Sequence, residues 1–507
     1  MIVVVALLIL ALAEFLVGLR QFAGGDNWMP FGFVRSNYGA RASGMFISSI
    51  HLAGYLEAVG VLALSLAVWS SWSLWARIGL GYLTVVCYAG VAVTGSRGGY
   101  LSSVFSLVVF AAISLWVWRS VNPGRFARSA LIAGLALVAF VGGSVAVMQR
   151  SDLLRARLGA IVAKDVRIYN WQAALDQFKI SPVFGTGAGT HLYFGRFFRR
   201  PQIQSDPEHA HSDYLEMLAE YGLVGLAGIT IFVFFHAHTC LRAIGASART
   251  APGDPYHSFR DNRLALQIGA LSAIAAYLAH SVTDFNLHIP GNALLFAFIF
   301  GIAANPNGAT YAESTRASGA RLSQVILPAL SLWLIISGVT KFPGDYWCEK
   351  ARVAMHYRDY PAALESAQKS LHFETRNPDT FKLLAGASTG LALREVNSDK
   401  RSALLNDAIA ACQNAVRLFP YDEDALMRLA RTLDEAKRFR EAREAYQKAI
   451  ALDPKLGAIR AWYARHLALV GRVEEAEEQR AKAHELGSAK DPGALTRGTI
   501  LDLPAEE

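Results

Sequence analysis

One short segment of the chain combines an imidazole with carboxylates at the start of an apolar run. It reads HSDYLEMLAEYGLVG and covers residues 211–225. A histidine at such a boundary can act as a general base that takes a proton from a hydroxyl group. Asp213, Glu216 and Glu220 share one helical face, so they can orient His211 or pair with arginines. The alternative is a histidine that caps a helix beside solvated carboxylates.

A first candidate arginine, Arg97, lies in the sequence TGSRGG between two apolar runs. Glycines let a backbone come close to a ligand, and they would leave this guanidinium unobstructed. We therefore consider Arg97 a candidate for binding an anionic substrate. The alternative is an arginine that extends to the membrane interface without a functional role.

A second candidate arginine, Arg167, opens the sequence RIYNWQAALDQF. The apolar residues of this sequence fall on one helical face, which predicts an amphipathic helix lying in the membrane interface. They are Ile168, Trp171, Leu175 and Phe178. A guanidinium beside that stripe can form paired hydrogen bonds to a phosphate. A solvated interfacial arginine is the alternative.

Asp284 stands at the end of a predicted membrane span, where an acid is costly and is therefore a candidate for function. Pairing with an arginine is the alternative. A zinc site formed by His209, His211 and Asp213 is a further alternative. Its remaining ligands would be His280, Asp284 and His288. No complete ligand set of a known type is present, so we predict neither a metal nor a cofactor.

A glycine-rich sequence, GTGAG at 185–189, has the spacing of a dinucleotide-binding loop but lacks the strand and helix that should flank it. We interpret it as a flexible turn near the site.

Cys348 and Cys412 could form a disulfide if their region lies outside the cytoplasm.

The composition predicts a membrane protein with two parts. The 507 residues are 53% hydrophobic and 18% charged, and the charged residues are unevenly placed. Long apolar runs fill 1–340, whereas 341–507 is rich in Ala, Arg, Glu and Leu, so the first part belongs in the bilayer and the second in water. The net charge of +8 predicts no nucleic-acid partner, because membrane loops attract arginine for other reasons.

Apolar runs long enough to cross a bilayer predict about nine spans. They are 2–19, 50–69, 75–94, 100–118, 129–147, 221–240, 264–283, 291–305 and 323–340. The first lacks the basic start and the small-residue cleavage site of a signal peptide. We expect it to be a membrane helix, and an internal one if the chain derives from a longer parent.

The charges of the short loops predict the orientation of these spans. The loops 119–128, 241–263 and 306–322 are basic, which places them in the cytoplasm, and the loop 148–220 and the tail 341–507 then lie outside. The long outer loop is basic as well, although loops longer than about 60 residues are largely exempt from the charge rule. Basic charge there suits an anionic lipid headgroup such as a diphosphate.

The tail shows a repeat of 34 residues. Pro420 and Pro454 are separated by this interval, and several alanines follow the same period. The alanine pairs are Ala408 and Ala442, Ala415 and Ala449, and Ala442 and Ala476. This period, with Asp-Pro at the end of a helical pattern, is typical of tetratricopeptide repeats. We predict a short α-solenoid of about three repeats that binds protein, with a spacer as the alternative.

Together these motifs resemble the O-antigen ligase and polymerase superfamily of bacterial membrane glycosyltransferases. The resemblance depends on TGSRGG, on VRIYNW with SPVFGTGAG, on His211-Ser with its Gly-x-x-Gly, and on DFN before Pro290. It covers roughly residues 40–305. Some members of the superfamily carry a tetratricopeptide tail, and most have additional N-terminal helices. The predicted fold is therefore all-α, a GT-C-like transmembrane bundle at 1–340 followed by a tetratricopeptide domain at 341–507.

The resemblance implies a metal-independent transferase of the bacterial inner membrane, acting on the periplasmic side with inversion at the anomeric carbon. The donor would be a glycan on undecaprenyl diphosphate, and the acceptor would be lipid A–core, another glycan or a protein. Arg97 and Arg167 would hold the diphosphate, with Glu220 and Asp284 as further substrate-binding candidates, and His211 would activate the acceptor. The alternatives are a repeat-unit polymerase, a protein O-oligosaccharyltransferase and a non-catalytic scaffold for polysaccharide assembly.

Overall fold

The computed structural model of the chain describes residues 2–35, 41–149, 167–249, 260–304 and 318–487. In these ranges the regular elements are helices, apart from one isolated β-bridge between Trp28 and Val34. The predicted all-α fold class is therefore confirmed. The part of the predicted loop 148–220 that lies at 150–166 is outside the described residues.

The chain divides into two compact units. The first contains the described residues of Met1–Asp165, Phe178–Ala188 and His209–Thr315. The second contains those of Val166–Gln177, Gly189–Glu208 and Arg316–Glu507. Two parts of the predicted outer loop thus belong to the same unit as the tail.

Helices are numbered along the whole chain, and eight of them form the first unit. They are α1 (Ile2–Gly24), α2 (Ser49–Trp69), α3 (Leu74–Thr94), α4 (Arg97–Val121), α5 (Phe126–Gln149), α8 (Asp213–Arg249), α9 (Asn262–His280) and α10 (Pro290–Ala304). A short 3₁₀ turn, Asn286–His288, connects α9 to α10. It carries part of the candidate site.

Six helical segments of this unit are long and apolar enough to cross a membrane. They comprise α1 to α4, Pro123–Ala146 and Asp213–Ala248, and they coincide with six of the nine predicted spans. The chain is therefore a multi-pass membrane protein. The other three predicted spans lie in α9, in α10, which has 15 residues, and in α11 of the second unit.

The core of the first unit is built around α2, which is apolar on every side, as expected for a helix surrounded by others. Its most apolar stretch is 83% buried, against 39% for α3 and 28% for α4. It packs against α3, α9 and α4. Gly269 of α9 allows close contact there, because a Cβ at that position would lie 2.7 Å from Leu62 Cδ1. This packing fixes the end of α9 that leads into the site.

The second unit consists of two short helices from the loop region and eight helices from the tail. They are α6 (Arg167–Phe178), α7 (His191–Phe197), α11 (Ser318–His356), α12 (Tyr360–Phe373), α13 (Pro378–Arg394), α14 (Ser398–Leu418), α15 (Glu423–Glu435), α16 (Phe439–Leu452), α17 (Gly457–Leu469) and α18 (Val473–Glu485). Helix α11 crosses the predicted domain boundary at 340 without interruption.

The tail helices pack in consecutive pairs, α11 with α12, α13 with α14, α15 with α16, and α17 with α18. The alanines of the 34-residue period lie between the helices and are almost completely buried. Small side chains at those positions let paired helices approach closely. The disulfide considered from the sequence is not formed, since Cys348 and Cys412 are both free thiols and pack in different apolar clusters.

Candidate active site

His211 lies two residues before the start of α8, in a strained conformation. Its φ is 53°, in the left-handed region that few non-glycine residues adopt. The imidazole is 33% exposed, and its Nδ1 lies 3.6 Å from Oδ1 of Asp284, which is fully buried. This distance is longer than a hydrogen bond but well within the range of electrostatic attraction. Strain of this kind occurs where surrounding contacts hold a functional residue in place.

Asp213 fixes the start of α8 against the turn that follows α9. Its backbone N–H donates to the carbonyl groups of Ser281 and Asp284, each at 3.0 Å. Its carboxylate accepts from Ser281 Oγ at 2.7 Å and from His288 Nδ1 at 2.9 Å. A buried carboxylate with several donors is a strong anchor. The peptide that precedes α8 and carries His211 is therefore held beside Asp284.

Phe285 lies among three histidines. Its ring centroid is 4.1 Å from that of His209, in a stacked arrangement, and 5.0 Å from those of His211 and His51. The next residue, Asn286, is buried against α2, where a Cβ at Gly54 would lie 2.8 Å from the Asn286 amide oxygen. The DFN motif thus places an acid beside His211, an aromatic ring beneath it and an anchor in the core.

One group of possible metal ligands is found among the described residues. It consists of His209, Glu216 and His288, whose ligand atoms lie within 4.8 Å of one another. Glu216 Oε1 accepts a hydrogen bond from His209 Nδ1 at 2.8 Å, and its Oε2 accepts from the N–H of Ala210 at 2.8 Å. Direct hydrogen bonds to Glu216 thus explain the close approach of these side chains without a metal ion. It differs from the zinc set considered from the sequence, since His211 lies by Asp284 and Asp213 bonds His288.

Carboxylates surround His288. Burial disfavours its charged form, but the hydrogen bond to Asp213 and the charge of Glu216 outweigh burial and raise the pKa of His288. A raised histidine pKa adds stability that is fully present below the ordinary value of 6.5 and is lost as pH rises through the folded-state pKa.

We therefore expect the replacement His288→Asn to destabilise the protein at about pH 6 more than at about pH 9. Thermal unfolding of the detergent-solubilised protein across this pH range measures the difference. His238→Asn, at an exposed position on α8, is the control. Its unfolding temperature should differ from that of the wild type by the same amount at every pH. A pH-independent loss for His288→Asn would show that its charge contributes nothing.

Arg97 is the first residue of α4, and the glycines around it serve the packing of helices. Gly95 adopts φ 64° at the end of α3. A Cβ at Gly98 would lie 2.8 Å from Thr283 Oγ1, and one at Gly99 would lie 2.8 Å from Ala53 Cβ. The sequence interpretation assigned these glycines to a ligand, whereas in the structure Gly98 and Gly99 allow α4 to begin against α9 and α2. Arg97 is thereby placed next to the turn that carries Asp284.

The predicted turn at 185–189 packs against a break in α8. Gly222 has φ 64° and ψ −163°, a conformation essentially confined to glycine. The N–H groups of Thr186 and Gly187 donate to the carbonyls of Ala219 and Glu220 at 3.1 and 2.9 Å, and Val224 N–H donates to Val183 at 3.1 Å. The two glycine motifs, GTGAG and GLVG, therefore form one packed contact.

Comparison with known protein families matches two segments of the chain. A model of the O-antigen ligase family matches residues 83–230, and a tetratricopeptide repeat model matches residues 423–456. Residues 83–230 are thus similar to the O-antigen ligase family. The resemblance predicted from the sequence is thus confirmed, and the repeat match coincides with the pair α15 and α16.

Comparisons with solved structures and with curated proteins give less information about the chain. The chain is similar to a crystal structure of MamA, with 22% identity over 28% of this chain and 78% of that one, and a TM-score of 0.25. It is also similar to a thermophilic tetratricopeptide protein in Thermus thermophilus, with 22% identity over 34% of this chain and 90% of that one, and a TM-score of 0.28. Scores this low carry no argument about function. No curated protein matches the chain.

The segment 83–230 that the O-antigen ligase model matches contains Arg97, Arg167, His211 and Glu220, whereas Asp284 lies beyond its end. His211 and Asp284 lie together close to the end of α9, and Gly98, the neighbour of Arg97, lies beside Thr283, which precedes Asp284. Glu220 is buried and lies two residues before the break in α8. Arg167 begins α6, which belongs to the second unit.

Sequence reasoning missed a buried pair beneath the site. Glu57 of α2 is fully buried, and its Oε1 accepts from His280 Nδ1 at 2.9 Å. Its other oxygen accepts a hydrogen bond from Ser102, whose hydroxyl oxygen also lies 2.9 Å from the Gly98 carbonyl oxygen. This chain of contacts joins α2 and α9 to the first turn of α4, next to Arg97. A carboxylate in the middle of an apolar span was the available signal.

Proposed function

We propose that the protein is a membrane glycosyltransferase that moves a glycan from undecaprenyl diphosphate to an acceptor hydroxyl. The observation that carries the proposal is the half-exposed imidazole of His211 beside the buried carboxylate of Asp284. His211 lies within the segment 83–230 that the O-antigen ligase model matches, and Asp284 lies beyond it. We place the reaction at the periplasmic face of a bacterial inner membrane, with the tail on that side.

In this proposal His211 is the general base. If the Nδ1–H of the imidazole points to Asp284, the lone pair of Nε2 is available to take the proton of an acceptor hydroxyl. The left-handed backbone and the contact with Phe285 hold the ring in one place. Asp284 is fully buried, which favours a role in orienting the imidazole and stabilising its charged form over the substrate binding expected from the sequence.

Arg97 and Arg167 are the proposed ligands of the donor diphosphate. The acceptor oxygen attacks the anomeric carbon from the face opposite the leaving group, so the configuration inverts. The bond from that carbon to the diphosphate oxygen breaks, and the electron pair remains on undecaprenyl diphosphate. Guanidinium groups stabilise the charge that develops there, so a general acid is dispensable. The exposed apolar side chains of Ile168 and Leu175 support a position of α6 at the lipid surface.

Incubation of the purified protein with a labelled glycan on undecaprenyl diphosphate tests this function. We expect transfer to one of three acceptors offered separately, namely lipid A–core, a second lipid-linked repeat unit and a protein with exposed hydroxyl residues. The acceptor that reacts distinguishes a ligase from a polymerase and from a protein glycosyltransferase. We also expect the rate to be unchanged by EDTA, because arginines carry the charge stabilisation that a metal supplies elsewhere.

A loss of transfer in EDTA that zinc or magnesium restores would contradict the metal-independent mechanism. Absence of transfer to all three acceptors, by a protein that is inserted and folded, would favour the scaffold role. The matched control is Arg97→Ala protein, which should insert equally well and transfer little.

A further inference from the structure

Within the second unit, the loop segment Gly189–Glu208 is bound to the tetratricopeptide repeats through two arginines. Arg199 is 1% exposed and lies against the fully buried Asp453, with guanidinium-to-carboxylate distances of 2.6 to 3.0 Å. Arg196 Nη1 lies 2.7 Å from Glu423 Oε2, and both side chains are also buried. Arg196 also pairs with Asp206, at 2.6 Å. The pair of Arg199 and Asp453 depends on both partners, since Asp453 without the guanidinium would be a buried charge without compensation.

The contacts of this segment follow the 34-residue period of the repeats. Arg196 contacts Glu423 and the Tyr421 carbonyl, at 2.7 and 3.5 Å. Gln204 contacts the residues 34 positions further on, accepting from Gly457 N–H at 2.9 Å and donating to the Lys455 carbonyl at 3.2 Å.

The residues that precede the two repeat prolines also contact the loop segment, again at positions 34 residues apart. Phe419 precedes Pro420, and its ring lies 5.4 Å from that of Tyr193. Asp453 precedes Pro454 and binds Arg199. The segment therefore contacts equivalent positions of two successive repeats in register, which is how an extended ligand binds a repeat array.

The same segment also holds α6. Arg200 pairs with Asp176, and His191 Nδ1 lies 2.8 Å from Gln177 Oε1. The buried face of α6 includes Asn170, Ala173, Ala174 and Gln177, while Ile168 and Leu175 on the apolar stripe are exposed. Helix α6 is thus attached through its polar and small residues, and Arg167 is its first residue.

We infer that the tetratricopeptide tail binds its own loop and thereby positions Arg167 for the donor diphosphate. Arg199 and Asp453 are then positioning residues, and the ligand of this repeat surface is the chain itself. A protein partner at the same surface would have to displace Gly189–Glu208. The role of Arg167 rests on the proposed function, whereas the attachment of α6 to the tail does not.

Hydrogen exchange of the full-length protein in nanodiscs tests the inference. The variants are Asp453→Asn, which removes the charge from the repeat, and Arg199→Gln, which leaves every repeat residue intact. We expect amide exchange in 189–208 and α6 to rise by about tenfold or more in both, with α17 and α18 unchanged. Glu477→Gln, which breaks an exposed ion pair with Arg480, is the matched control and should exchange like the wild type.

Donor kinetics supply the second readout. We expect both variants to raise KM for the lipid-linked donor more than they lower kcat, as Arg167→Ala should. If the amides of α6 in the Arg199→Gln variant exchanged at the wild-type rate, the inferred attachment of α6 to the tail would be overturned. Faster exchange in α6 without a change in donor KM would overturn the positioning role. Failure of the proposed function would instead appear as a wild-type protein without transfer.

Discussion

Replacing His211 with alanine is expected to lower glycan transfer by about 10²–10⁴-fold, the usual contribution of a general base. The imidazole is the partly exposed member of a pair whose buried member, Asp284, lies 3.6 Å away. Its loss removes the group that accepts the acceptor proton, but it leaves the anchor at Asp213 intact. Initial rates with labelled donor and saturating acceptor measure the effect.

The control for this experiment is His238→Ala, an exposed histidine on the same helix, α8, which should transfer at the wild-type rate. Asp284→Asn should lose activity by a smaller factor, because the imidazole remains but its charged form is stabilised less. Full activity of His211→Ala in an inserted, folded protein would rule out His211 as the base.

Replacing Gly222 with alanine is expected to destabilise the first unit by about 3 kcal/mol, combining backbone strain with steric overlap. The φ and ψ of this residue suit glycine only, and a Cβ would lie 2.4 Å from the carbonyl oxygen of Val183. The added methyl group must push the 182–187 segment away from α8. Unfolding in mixed micelles with increasing SDS measures the loss.

Gly228 provides the matched control for this substitution. It lies on the same helix, and a Cβ there would meet no atom within 4 Å. Gly228→Ala should therefore unfold at the wild-type SDS fraction or slightly above it, since alanine favours helix. If the two variants unfold together, the break at Gly222 does not determine how the loop packs.

The sequence predicted the elements well where one residue type repeats over many positions. Apolar runs identified six helices that can cross a membrane, and the 34-residue period located buried alanines in the tail. Both patterns record burial directly, because a lipid-facing or closely packed helix allows few other residues.

Contacts between distant residues could not be read in this way. Glu57 and His280 are 223 positions apart, and Arg199 and Asp453 are 254 apart. Neither pair has a local pattern, since each depends on how helices meet. The acids around His211 show the same limit. Their spacing predicted Asp213, Glu216 and Glu220 on one helical face. In the structure Asp213 binds His288 and Glu216 binds His209. The acid beside His211 is instead Asp284, from another part of the chain.

The anchoring of Asp213 has a consequence for engineering acceptor choice. The peptides 209–216 and 281–288 share one set of hydrogen bonds, through Ser281, Asp284 and His288. Neither can change length or polarity alone without leaving the other with unmatched buried groups. The two peptides therefore form a single cassette that must be exchanged together when chimeras are made between related transferases, and substitutions within them should covary during evolution.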